Sequence, residues 1–202
     1  MSAVFFSLIG VVVGALLTLV RDIWADRRTL GRNARYLAIR VVCILDKYVE
    51  HCAEVVLDDG LSRGQRDSDG CLRAQVSPPD SPVFPQDVDW KSINPELMYQ
   101  ILSLPNEADA AARRVDAAWE ISDPPDFEEL FEERQYQYGK LGLTAFALTE
   151  EIRKKYRIPT PNLGEWNPVE HLTKARVQVE EDRRKRYEQI AASPMFLNSP
   201  AI

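Results

Sequence analysis

Four glutamates within one short stretch are the residues of this chain best suited to chemistry. Glu128, Glu129, Glu132 and Glu133 lie in the run EELFEE, and helical spacing would place them within a turn and a half. Grouped carboxylates are typical ligands of Mg²⁺. Acidic side chains are also common in the first turn of a helix, where they face the positive end of its dipole. The spacing alone favours a helix start, with a metal site as the alternative.

The run EELFEE resembles the first half of the EExxE motif of all-helical nucleoside triphosphate pyrophosphatases of the MazG type, whose carboxylates hold Mg²⁺. The resemblance implies a helical, Mg²⁺-dependent nucleotide hydrolase with these four glutamates as ligands. It covers six residues, and the downstream Glu-x-x-Asp is missing. Arg153 and Lys154 stand three residues after Glu150 and Glu151, and Arg183 and Arg184 stand three residues after Glu180 and Glu181. Such a hydrolase is the second alternative function.

Other residue types that catalyse reactions are sparse. Neither His51 nor His171 has a glutamate three residues before it, which excludes the Glu-x-x-His pair of helical di-metal sites. The sequence also has no Walker loop and no GxGxxG, GxSxG or HExxH motif. We therefore predict that the protein is not an enzyme and that it uses no cofactor and no bound metal.

The longest uncharged stretch lies at the start of the chain. Residues 3–20 read AVFFSLIGVVVGALLTLV, and as a helix they would span about 27 Å, close to the hydrocarbon thickness of a bilayer. A cleaved signal peptide is disfavoured, since no Lys or Arg precedes the stretch and no A-x-A-like site follows it. A buried core helix is disfavoured because the stretch is apolar on every face. Residues 1–24 are predicted to form a transmembrane anchor.

The residues after this stretch predict its orientation. Tryptophan favours the membrane interface, and Lys and Arg near a membrane helix stay in the cytoplasm. The predicted interface residues are Arg21, Trp24, Arg27, Arg28, Arg32 and Arg35. We therefore expect a single-pass protein of the cell membrane, with its N-terminus outside and the bulk of the chain in the cytoplasm.

Small residues recur on one face of the predicted anchor. Ser7, Gly10, Gly14 and Thr18 follow one another at intervals of three or four residues. Small side chains let two membrane helices approach closely, which matters because lipid gives no hydrophobic drive for their association. This face is the predicted packing surface between membrane helices.

Charge and cysteine content restrict the partners and the compartment. Residues 1–40 contain six basic and two acidic side chains, which leaves 19 basic and 29 acidic ones in the rest of the chain. A body this acidic argues against nucleic-acid binding. Cys43 and Cys52 would lie about 13 Å apart on one helix, too far for a disulfide, which fits a reducing cytoplasm. Cys43 is predicted to pack in the core.

Apolar periodicity predicts an all-α body, an irregular antiparallel helical bundle that follows the single membrane helix. A Gly/Pro-rich loop interrupts it at residues 59–94, and its second half is expected to be held by apolar contacts of Val83, Phe84, Val88 and Trp90. Asn94 and Pro95 open a short helix, Pro105 a second one, and Asp126 is a candidate cap of a third. The predicted segments are 1–24 (anchor), 25–58 (basic collar and first long helix), 59–94 (loop), 95–192 (helices 95–102, 106–121, 127–157 and 168–192) and 193–202 (flexible tail).

These features favour a membrane-anchored protein whose cytoplasmic helical domain is an interaction or oligomerisation module. Its expected partners are the lipid bilayer and either a second copy of the chain or another protein, while the sequence identifies no small-molecule ligand. The first alternative is a membrane-perturbing effector assembled through the anchor helix. That alternative uses the same glycine-containing face.

Overall fold

The computed structural model describes residues 2–161, 164 and 166–192, without the side chains of residues 2–13 and 15. Its helices are α1 (Ser2–Val56), α2 (Pro95–Ile121), α3 (Glu128–Tyr156) and α4 (Pro168–Ala191), with a short 3-10 turn at Trp90–Ser92. The described residues contain no strand apart from an isolated bridge between Ser62 and Gln65. The predicted all-α class and helical bundle are confirmed.

The first helix, α1, continues without a break into the core of the bundle. Its 55 residues correspond to about 83 Å of helix. From Ala34 onward one face is buried, and Leu37, Val41 and Leu45 are 0% exposed. Burial of this stripe outweighs the strand propensity of the β-branched residues around it, so the segment is helical.

The central helix is α3, which packs against each of the other three helices. One hydrophobic core joins fully buried side chains from all four helices, among them Leu45 of α1, Ile101 of α2, Ile152 of α3 and Leu172 of α4. Burial of one such side chain contributes about 1.5–3 kcal/mol. The two outer helices, α2 and α4, are therefore held by apolar contacts to α3.

Two glycines of α3 lie where α4 approaches closely. An added Cβ at Gly142 would lie 2.7 Å from Leu172 Cδ1 and 2.9 Å from Cys52 Cβ. At Gly139 it would lie 3.5 Å from Arg176 Cβ, an ordinary contact. The close approach of Leu172 and Cys52 leaves no room for a side chain at position 142, which accounts for this glycine inside the helix.

The prediction of two helices divided at Pro105 is wrong, because α2 runs through this proline. Proline inside a helix removes one hydrogen bond and costs about 3 kcal/mol. The buried side chains of Ile101, Leu104 and Ala108 lie on both sides of it and share one packed face. Their burial holds the helix together. The predicted cap is confirmed, since Asn94 Oδ1 accepts a hydrogen bond from Leu97 N at 3.2 Å.

Two side chains expected in apolar contacts are exposed. Cys43 is exposed because it lies nine residues, or half a helical revolution, from the buried Cys52. Val83 is 82% exposed, while Phe84 takes the core position beside it, its ring centroid 6.3 Å from that of Trp90. The second half of the loop is thus held by Phe84.

Among the residues that the structure describes, no helix has an apolar stretch long enough to cross a membrane. Most of segment 3–20, including Ser7 and Gly10, lies outside the residues with described side chains. The predicted tail 193–202 also lies outside the described residues.

Candidate functional site

The part of α1 from Gly14 to Asn33, which we call the stalk, stands clear of the bundle. Every described side chain in it is exposed. Leu17, Val20 and Trp24 are 66%, 62% and 60% exposed. A contiguous apolar surface of this kind marks a protein or membrane contact. The stalk is therefore the candidate functional site.

Gly14 and Thr18 are the members of the predicted packing face with described side chains. Thr18 Oγ1 donates a hydrogen bond to the Gly14 carbonyl oxygen at 2.9 Å, so this hydroxyl is satisfied within its own helix. A Cβ added to Gly14 would meet no atom within 4 Å. The backbone here is open to close approach by another helix.

The predicted interface residues, Arg21, Trp24, Arg27, Arg28, Arg32 and Arg35, are all exposed. The Arg28 guanidinium lies 4.1 Å from the centroid of the Trp24 ring, a cation–π contact. Within the described part of the chain none of these five arginines forms an ion pair. Arg40, further along α1, does form one, with Asp87 at 2.8 Å. The stalk thus carries four arginines that form no ion pair with the described residues, and Arg35, which follows just beyond it, forms none either.

The glutamate cluster is used to fasten α4 to α3. Arg183 Nε donates to Glu132 Oε1 at 2.7 Å, and its Nη2 donates to Glu133 Oε2 at 2.6 Å. Burial lowers the pKa of Arg183, but these two carboxylates outweigh that effect and raise it overall. Glu128 and Glu129 are exposed in the first turn. The run at 128–133 thus serves the packing of α4.

The predicted cap of α3 is wrong. Phe127 occupies the cap position in a left-handed conformation, with φ at 49° and no side-chain hydrogen bond to the helix. Asp126 instead pairs with Arg66 of the loop. The ring of Phe127 stacks on Trp119 with centroids 5.1 Å apart, which holds this start of the helix against the end of α2.

A cavity of about 520 Å³ lies between the loop, the start of α3 and α4, and carboxylates dominate its lining. Asp126, Glu132 and Asp182 of this lining already have basic partners. The hydrogen bond from Gln178, and then Lys185, hold the pKa of Asp182 below its ordinary value. Across the described residues, no group of three or more His, Cys, Asp or Glu side chains is arranged to hold a metal ion.

The buried pair of Asp58 and Arg134 fastens the long loop and was missed from the sequence. Asp58 Oδ2 accepts hydrogen bonds from Gln75 N and Val76 N at 2.9 Å and from Arg134 Nη2 at 3.1 Å. Arg134 Nη2 also donates to the Val76 carbonyl oxygen at 2.7 Å. The two side chains are 1% and 5% exposed. The three donors to Asp58 Oδ2 lie 17 or more residues away along the chain, so local spacing gives no signal of this contact.

Comparisons with protein-family models, curated proteins and solved structures give no match for this chain.

Proposed function

We propose that this protein is a helical interaction module tethered to a membrane through the first part of α1, with its bundle in the cytoplasm. The observation that carries the proposal is the stalk: a helix continuous with the core, free of intrachain packing from Gly14 to Asn33 and rich in exposed apolar side chains. The uncharged sequence of residues 3–20 directly precedes it. One helix therefore links an apolar segment of bilayer length to a folded domain.

The charges of the stalk support the proposed orientation. Its four arginines, which form no ion pair with the described residues, and Arg35 directly follow the uncharged stretch. Each such side chain gains about 1 kcal/mol near an anionic membrane surface. Trp24, held beneath Arg28, lies one turn past the stretch, at the headgroup level expected of an interfacial indole.

Alkaline extraction of membranes that contain the full-length chain tests the tether. We expect the wild-type chain to stay in the membrane pellet. Val12→Arg places a charge in the middle of the uncharged sequence, costs about 2.5–3.5 kcal/mol of insertion and shifts the chain to the supernatant. Leu30→Arg, beyond the stretch, is the matched control and stays in the pellet. Release of the wild type would refute the tether.

Protease protection tests the orientation. Protease added to intact cells leaves a C-terminal tag uncut, and it digests the tag once the cells are opened. Digestion of the tag in intact cells would show that the bundle lies on the opposite side of the membrane from that proposed.

A further inference from the structure

We propose that a second copy of this chain docks along α1, parallel and in register, and that the contact extends past the membrane to Cys43. The inference rests on the proposed tether, because two chains anchored through their first residues present α1 in the same direction. The surface concerned, called the outer face, consists of Thr18, Asp22, Ala25, Thr29, Arg32, Tyr36, Ile39 and Cys43.

The outer face has the spacing of a parallel two-helix contact. Its residues alternate at intervals of three and four from Ala25 to Cys43, as the core positions of a coiled coil do. At 100° per residue it lies opposite the buried stripe of Ala34, Leu37 and Val41. The two bundles would therefore lie on the outer sides of the helix pair and would not collide.

Exposure shows that no described part of the chain covers the outer face. Tyr36 is 57% and Ile39 43% exposed, and Cys43 is exposed beside them, although α1 here forms a wall of the bundle. Gly139 and Gly142 lie where another helix packs on them, whereas Gly14, also inside a helix, has no neighbour within 4 Å of an added Cβ. A second α1 would supply that neighbour.

Charge complementarity identifies the occupant as another copy of α1. Arg21 and Asp26 flank the outer face on opposite sides and are five residues apart, the separation at which parallel coiled coils form ion pairs between chains. In the described part of the chain neither makes an ion pair of its own. The pairing is symmetric, so each dimer would gain it twice. Arg35 would face Arg40 of the other copy, but Asp87 already neutralises Arg40.

The size of the outer face explains why this dimer needs the tether. From Thr18 to Cys43 the helix is about 38 Å long, and a strip about 10 Å wide buries roughly 400 Å² per copy. Stable interfaces bury about 800 Å² per partner. The contact is therefore weak in dilute solution, and confinement of both copies to one membrane raises their effective concentration.

Asp22 and Arg32 are the two unfavourable members of the outer face, since each would meet its own counterpart in a parallel pair. Arg32 Nη2 donates to Thr29 Oγ1 at 3.4 Å, and the long side chain of Arg32 can carry its charge to the rim of the contact. Arg32→Ala should raise the dimer fraction about twofold, because like charges at this range cost a few tenths of a kcal/mol. If anionic lipid rather than a second copy covered the face, the same change would weaken membrane binding and leave no cross-linked dimer.

Disulfide cross-linking of the full-length chain in liposomes tests the proposal. Oxidation with copper phenanthroline should link the wild-type chain into a dimer through Cys43, and Cys43→Ala should remain monomeric. In the Cys43→Ala background, Thr29→Cys lies on the outer face and Arg27→Cys lies on the opposite side. Because a disulfide needs Cα atoms within about 7 Å, Thr29→Cys should cross-link about tenfold faster than Arg27→Cys.

A charge exchange completes the test. Arg21→Glu should lower the dimer fraction about fivefold, and Arg21→Glu combined with Asp26→Arg should restore it, since the pair is symmetric. Equal cross-linking of Thr29→Cys and Arg27→Cys, or dimers in Cys43→Ala, would overturn the proposal. Membrane-bound chains without any Cys43 dimer overturn the docking but leave the tether intact. Chains released by alkaline extraction would instead refute the tether.

Discussion

Alanine at Gly142 should destabilise the protein, while alanine at Gly139 should not. At Gly142 the new methyl group would lie 2.7–2.9 Å from three atoms, two of Leu172 and the Cβ of Cys52. Leu172 is 0% exposed and has no room to turn away. Overpacking of this kind costs about 1–3 kcal/mol, and the gain in helix propensity offsets roughly 1 kcal/mol of it.

Gly139→Ala is the matched control, because its methyl group would meet atoms at 3.5 Å and gain the same helix propensity. We therefore expect Gly139→Ala to leave the free energy of unfolding unchanged or to raise it by up to about 1 kcal/mol. The free energy of unfolding of Gly142→Ala should be about 2 kcal/mol lower than that of Gly139→Ala. For a chain of this size that difference corresponds to about 4–8 °C in Tm.

Thermal unfolding of the full-length chain in mild detergent measures this difference, and Leu172→Ala serves as the partner in a double-mutant cycle. Leu172→Ala alone should cost about 2–5 kcal/mol, but less in the Gly142→Ala background, because it removes the overlap. If Gly142→Ala were as stable as Gly139→Ala, or if the two changes at 142 and 172 were additive, the close packing of α4 on α3 would be refuted.

Three further predictions concern the buried polar groups. Asp58→Ala leaves Arg134 buried without its carboxylate, so we expect the free energy of unfolding to fall by about 3–5 kcal/mol. Hydrogen exchange at the backbone amides of Gln75 and Val76 should become faster, whereas Asp59→Ala, the control, should leave it unchanged. Unchanged exchange in Asp58→Ala would contradict this prediction. Burial raises the pKa of Tyr138 from its ordinary value to about 12, and burial raises that of Tyr48 further. The stabilisation from the protonated Tyr138 is therefore complete below pH 10 and lost as the pH rises through about 12, and absorbance titration at alkaline pH should show these two tyrosines ionising last. Burial also raises the pKa of the Cys52 thiol. Iodoacetamide at pH 8 in dilute detergent should therefore alkylate Cys43 well before Cys52, as followed by mass spectrometry. Equal rates of alkylation at the two cysteines would refute the burial of Cys52.

The helices were predictable where local signals agree with packing. Asn94-Pro95 and Asn167-Pro168 mark the starts of α2 and α4, and both asparagines cap through their side chains. The error at Pro105 arose because a local rule gives proline as a helix start, whereas tertiary burial on both sides of it decides the outcome. The Phe127 cap and the pairing of Asp58 with Arg134 depend on long-range contacts, which spacing along the chain does not reveal.

The candidate site was predictable in part. The predicted interface residues, Trp24 and the five arginines between positions 21 and 35, are exposed, and their role at a membrane interface stays a prediction. The pairing of Glu132 and Glu133 was not foreseen, because their partner Arg183 is about 50 residues away along the chain. The sequence also placed Cys43 in the core, although its position half a revolution from Cys52 puts it on the outer face.

The absence of a break in α1 has a mechanical consequence. A helix that forms both the stalk and a wall of the core transmits torque, since Leu37 and Leu45 lock its rotation to that of the bundle. A turn of the membrane-proximal end by one residue's angle, about 100°, would sweep the whole bundle around the helix axis by the same angle. Gly31 is the one residue without a side chain between Gly14 and the core along the described stalk, and a Cβ added there would meet no atom of a neighbouring element within 4 Å, so no other element braces the helix at this point. The stalk and the bundle therefore rotate as one body, and Gly31, next to the bundle, is the position of the described stalk at which the helix bends most readily.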